Sequence, residues 1–158
     1  MCFETGWAVL ISSDLWVKWT TILMPFIAML ALYVAWSQLK SSRYESKAST
    51  AHAIYHQYLS LCLENSELAK GDQEIVSENE QINGKYKWFI SSMLFSFEQI
   101  LQVANDDSDW EVAIKAQLLR HAWHLSESGT VKRKEWSIEL MTIINKALVE
   151  KNYNPIPL

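Results

Sequence analysis

The residues best suited to chemistry lie in a few short places. All four histidines form helix-spaced pairs, His52 with His56 at a spacing of four and His121 with His124 at a spacing of three. Side chains three or four apart on a helix are neighbours, so each pair presents two imidazoles to one face. Two imidazoles reach a single ion, and two such pairs on different helices would complete a tetrahedral zinc or iron site. Two features argue against it. No glutamate lies between the paired histidines as a His-Glu-x-x-His site requires, and Cys62 is almost two turns beyond His56. Histidines in a core or on a helix surface are the commoner outcome of this spacing, and no cofactor is expected.

The stretch LLRHAWHLSES adds Arg120, which falls on one helix face with His124. An arginine and a histidine can hydrolyse RNA together. The guanidinium stabilises the charged phosphorane while the imidazole activates or positions the 2′-hydroxyl. The pair resembles the R-x(4-6)-H motif of the HEPN ribonuclease family, also helical bundles, with only Arg120 and His124 mapping. The spacing here is R-x(3)-H, one residue short. The enzymatic alternative is therefore a membrane-bound HEPN-like RNase or a histidine metalloprotein. The bland alternative is a surface arginine, paired with an acid such as Glu127, beside a half-buried histidine. No Gly-rich phosphate loop, Gly-x-Ser-x-Gly elbow, Cys-x-x-Cys pair or paired-carboxylate motif is present, which favours a non-enzymatic chain.

The elements that must position these residues are helical. Gly 4 and Pro 3 are low counts for a protein built on tight β-turns. Residues 19–39 supply 21 positions without a charge, enough to cross an apolar layer. Trp16 and Trp19 at one end, with Tyr33 and Trp36 at the other, form the aromatic belts expected at two interfaces, about 26 to 30 Å apart at the helical rise. Ile22, Leu23, Phe26, Ile27, Leu30, Leu32 and Val34 together favour insertion by roughly 2 to 4 kcal/mol. A soluble core helix would show a polar stripe, and between Trp19 and Trp36 this run has only Thr20 and Thr21. A cleaved signal would need a small-x-small site, where Tyr33-Val34-Ala35 offers a bulky ring.

The flanks set the orientation. Lys18 stands alone before the span, whereas Lys40, Arg43 and Lys47 follow it. The positive-inside bias puts a short N-terminus, 1–15, outside and the rest of the chain beyond the 16–39 span in the cytoplasm. Pro25 lies within the span, where proline is tolerated. A stalk helix is expected over 40–69, with Tyr44, Ala48, Ala51, Tyr55, Tyr58 and Cys62 spaced 4, 3, 4, 3 and 4 as a heptad seam. Such a seam serves self-association or packs the helix on its own domain. Ala28, Ala31 and Ala35 within the span also allow close helix approach. The expected partners are the bilayer, further copies of the chain and a protein not identified by these residues.

Residues 70–85, KGDQEIVSENEQINGK, read as an acidic loop. A helical bundle is expected over 86–152. Its first helix carries Tyr86, Phe89, Ile90, Met93, Leu94, Phe97, Ile100, Leu101 and Ala104 on one face, with Ser91, Ser92, Glu98, Gln99 and Gln102 facing away. A capping box of Ser108 and Glu111 in NDDSDWE opens the next helix, 109–127, which Gly129 ends. The last helix, 133–151, points Trp136, Leu140, Ile143, Ile144, Ala147 and Leu148 inward, and the tail 153–158 cannot continue it. The fold class is therefore all-α: a single N-terminal transmembrane helix continuing into a cytoplasmic antiparallel bundle.

Charge excludes one broad class of partner. Net charge is -4, and the part after Trp36 holds 13 basic and 16 acidic residues, so no basic face is available for nucleic acid. Cys2 and Cys62 lie on opposite sides of the span and build no disulfide framework. The phrases YHQYLSLCLENSELAKGD, KYKWFISSMLFSFEQILQ and AQLLRHAWHLSES, followed by EWS, are similar to a broad set of uncharacterised small bacterial membrane proteins with one N-terminal span and a helical cytoplasmic domain. The layout also resembles the membrane accessory proteins of type VI CRISPR systems, which implies oligomerisation, membrane perturbation and phage defence.

Overall fold

Between Phe26 and Lys70 the sequence offers the backbone no glycine or proline at which to break. One helix results, α1, over Ser13–Glu64 with Pro25 inside it. The computed structural model describes residues 13–104 and 107–157, and no strand occurs among them. The chain is all-α, as its composition implies. It divides into two compact units, Met1–Glu45 and Ser46–Leu158.

In the first unit no described residue encloses the apolar side chains of α1. The 18-residue window of highest mean hydropathy, 1.8, contains no buried residue. Trp19, Tyr33 and Trp36 are exposed, as are Ala28, Ala31 and Ala35. Thr20 and Thr21 both donate their hydroxyls to the Val17 carbonyl at 2.9 and 2.8 Å, so both threonines are satisfied within the helix. The Trp16 side chain, Cys2 and most of the expected segment 1–15 lie outside the described residues.

The second unit holds the core. Asn79 caps α4 (Glu80–Val103) by accepting from Gln81 N–H at 2.9 Å. Tyr86, Phe89, Ile90, Met93, Leu94, Phe97 and Ile100 of α4 are buried, the stripe read from the sequence, while Leu101 and Ala104 are half-buried. On the side expected to face away, Ser92 and Gln102 are exposed, but Ser91, Glu98 and Gln99 are half-buried. Glu98 has structural work: its carboxylate accepts the Ser137 N–H at 2.6 Å and fixes the start of α8 (Ile138–Glu150). The α8 stripe Leu140, Ile143, Ile144, Ala147 and Leu148 is buried as read, with Met141 added and Trp136 only half-buried. Each large aliphatic side chain so enclosed contributes about 1.5 to 3 kcal/mol.

Several boundaries differ from expectation. The supposed loop 70–85 contains a helix, α3 (Gln73–Glu78), which seats Val76 in the core, and α4 begins at Glu80. The one buried valine overrides the polar composition. The stalk breaks at Asn65 and re-forms as α2 (Ser66–Ala69). The cap of α5 (Ser108–Leu118) is Asp107, accepting from Asp109 N–H, rather than Ser108. Helix 109–127 is interrupted by a 3-10 turn, Leu119–His121, before α6 (Ala122–Glu127). Gly129 opens a short helix, α7 (Gly129–Lys132), and the last helix starts at Ile138 rather than 133.

The stalk seam is also corrected in part. Ala51 and Tyr58 are buried within the second unit and Tyr55 is half-buried, with Tyr58 edge-on to Phe97 at 4.9 Å and Tyr55 edge-on to Trp110 at 5.4 Å. All three pack α1 on its own domain, and Ala51 and Tyr58, being enclosed there, are not available for self-association. Tyr44 is exposed and Ala48 half-buried. The tail is not free either: Asn145 on α8 both donates to and accepts from the Ile156 backbone at 2.8 Å.

Candidate functional site

Gly71 is where the Arg120–His124 segment meets the rest of the fold. Its φ of 74° ends the turn after α2 in the left-handed region, which favours glycine. A Cβ placed there would lie 2.4 Å from the Arg120 carbonyl oxygen and 2.9 Å from His121 Nδ1. The Gly71 carbonyl accepts the Trp123 indole N–H at 2.8 Å. A close backbone approach and one hydrogen bond thus hold the 3-10 turn against the α2–α3 connection.

Behind this contact lies an aromatic cluster. Tyr86 stacks on Trp123 with centroids 5.5 Å apart and an interplanar angle of 7°, and the His124 ring stands edge-on to Tyr86 at 5.1 Å. His121 is fully buried, with Nδ1 2.8 Å from the Tyr86 hydroxyl and Nε2 without a partner. Burial, then the charge of Arg120, then His124, lowers the His121 pKa to about 4. Burial first, then Asp72, raises the Tyr86 phenol above its ordinary value. Tyr86 is therefore protonated at neutral pH and assigned as the donor, which puts the imidazole hydrogen on Nε2. Leaving that group unmatched costs roughly 1 to 3 kcal/mol.

The sequence candidates do not converge. Arg120 is exposed and lines a groove of about 390 Å³ with Leu59, Cys62, Leu63, Ser66, Ala69 and Lys70. His124, half-buried, lines a different groove of about 500 Å³ with Lys87, Asn83, Glu127 and Arg133. The face expected to be shared by Arg120 and His124 presumes an uninterrupted α-helix, and the 3-10 turn between them changes the phase. Among the described residues Arg120 makes no ion pair, with Glu127 or any other acid. Burial and then Lys87 lower the His124 pKa, whereas Glu127 raises it.

The histidine pairs separate as well. His52 and His56 are exposed, and the His52 ring lies 5.2 Å from Trp110. Among the described residues no group of three or more His, Cys, Asp or Glu is arranged to hold a metal ion. Cys62 is a half-buried free thiol; burial, then this thiol, raises the Tyr58 phenol above its ordinary value, and the Tyr58 hydroxyl donates to Gln117 Oε1 at 3.4 Å. Sequence reasoning missed Gly71 and Tyr86 as the residues that organise this region. The signal for Gly71 was the isolated Lys-Gly-Asp after a helical run, and nothing local marked Tyr86 as the partner of His121.

The exposed apolar part of α1 is the second candidate site. Its aliphatic surface is of the kind that soluble chains enclose, and the protein leaves it uncovered. Length and apolarity make this one helix capable of crossing a membrane. No family model matches the chain, and no curated protein or solved structure matches it.

Proposed function

We propose that the chain is a membrane-anchored helical interaction or effector protein of a bacterial inner membrane, acting through contact rather than through bond-making. The observation that carries this reading is the absence of any buried residue in the most apolar window of α1. Leu30 and Phe26, each 63% exposed, would each forgo about 1.5 to 3 kcal/mol of burial if left in water. A bilayer removes that cost along the whole segment. The basic residues Lys40, Arg43 and Lys47 after the run support an outside N-terminus and a cytoplasmic second unit. The core of the second unit supports a folded domain that meets a protein partner.

Self-association belongs to the same reading, through Ala28, Ala31 and Ala35 and the exposed Tyr44. A role in phage defence follows only from the likeness of layout to the CRISPR accessory proteins, and nucleic acid is not among the proposed partners. Cysteine crosslinking in intact membranes tests assembly. Positions 28, 31 and 35 should trap dimers or larger species at native expression level, and a chain that stays monomeric at all three removes the self-association reading.

A further inference from the structure

The groove that contains His124 has the features of a small-molecule site. Four elements wall it. Gln73 and Ser77 come from α3, Asn83 and Lys87 from one face of α4, and His124 with Arg133 from α6 and the end of α7. Its volume, about 500 Å³, falls in the range usual for ligand pockets, roughly 300 to 1,000 Å³.

We propose that this groove binds a small phosphate monoester, with Lys87 and Arg133 holding the phosphate. Two permanent cations from different elements line it, against the single lining carboxylate of Glu127. Arg133 commits only its Nε to Glu135, at 2.6 Å. Its terminal nitrogens are left over, and one would lie 2.9 Å from a Cβ at Gly129, so the missing side chain of that glycine makes room for the guanidinium. A planar guanidinium with donors to spare, together with an ammonium, matches a dianionic phosphate better than a single carboxylate. The hydroxyls of Ser128 and Thr130, 3.1 Å apart, add donors in the same lining.

The organic part of the ligand is indicated by Asn83. Asn83 is half-buried in the lining, and its side-chain Oδ1, closed off from solvent, has no hydrogen-bond partner. A turn of that amide toward the groove lets a hydroxyl or exocyclic amine on the organic part of the ligand satisfy it, while the phosphate stays on the two cations. Lys87 and Asn83 are four apart on α4, so one molecule can reach both. Phosphate of this kind is carried by soluble metabolites and by lipid headgroups alike, and the shared chemistry is what the groove reads.

The test uses the full-length chain in phosphatidylcholine nanodiscs, titrated calorimetrically with adenosine monophosphate and, separately, with inorganic phosphate. Saturable binding of the nucleotide is expected, tighter than that of inorganic phosphate. Lys87→Gln and Arg133→Gln should each weaken it roughly tenfold or more, as loss of a charged hydrogen bond does. Lys151→Gln, an equal charge change at an exposed position outside the groove, should leave it unchanged. Nanodiscs that also carry phosphatidic acid identify the source. Competition with the nucleotide assigns a headgroup, and its absence a soluble metabolite. No saturable binding of any of these phosphates overturns the proposal, as does an equal loss in Lys151→Gln. The inference is independent of the membrane reading, since a groove without affinity would leave the anchor intact.

Discussion

Acidification should destabilise the second unit through one buried imidazole. His121 has no exposed surface, its Nδ1 is taken by Tyr86, and its pKa is lowered to about 4 by burial, Arg120 and His124. In the unfolded chain an imidazole titrates near 6.5. Between those values the unfolded state binds a proton that the folded state refuses, so stability rises with pH across the window. The contribution is intact above pH about 6.5 and is lost progressively as pH falls toward 4. A difference of this size corresponds to about 3 kcal/mol at the acid end. His124, lowered for the same first reason, adds in the same direction. The assay is urea unfolding of the full-length chain in detergent at a series of pH values, followed by tryptophan fluorescence. His121→Phe keeps the ring volume and removes the titration, so the native chain should lose about 3 kcal/mol more than the variant between neutral pH and pH 4. Parallel pH profiles for the two chains would refute the reasoning.

Other predictions concern the contacts that position the site. Gly71→Ala forces a Cβ into the Arg120 carbonyl at a left-handed φ, and should cost roughly 2 to 4 kcal/mol in urea unfolding. Unchanged stability would mean that the turn is not docked there. Asn145→Ala removes both bonds to Ile156, so the tail should become cleavable by limited proteolysis, with a loss of about 1 to 2 kcal/mol; equal resistance in variant and native chain would contradict the tie.

What the sequence displayed and what it concealed divide along one physical line. Periodic burial is local, so the α4 stripe from Tyr86 to Ile100 and the α8 stripe from Leu140 to Leu148 were legible in residue order. The length and apolarity of the N-terminal helix were equally plain, because neither depends on a partner. Contacts between distant segments were not legible. Val76 turns an acidic stretch into a helix by reaching the core, and no neighbour in sequence announces that. Ala51 and Tyr58 looked like a seam for a second chain, yet the same spacing serves a helix lying on its own domain. The Arg120–His124 pair failed for a related reason. Its spacing implied a shared face only while the helix stayed regular, and the 3-10 turn at Leu119–His121 breaks that condition.

What surrounds the apolar surface of α1, lipid or water, decides whether the chain is anchored. Alkaline carbonate extraction of cells expressing the intact chain, beside a Leu30→Lys variant, measures this directly. A central lysine costs roughly 3 kcal/mol, enough to cancel most of the insertion energy. The native chain should remain in the membrane pellet and the variant should shift to the supernatant. Recovery of the native chain in the carbonate-soluble fraction would contradict the anchor and the function proposed from it.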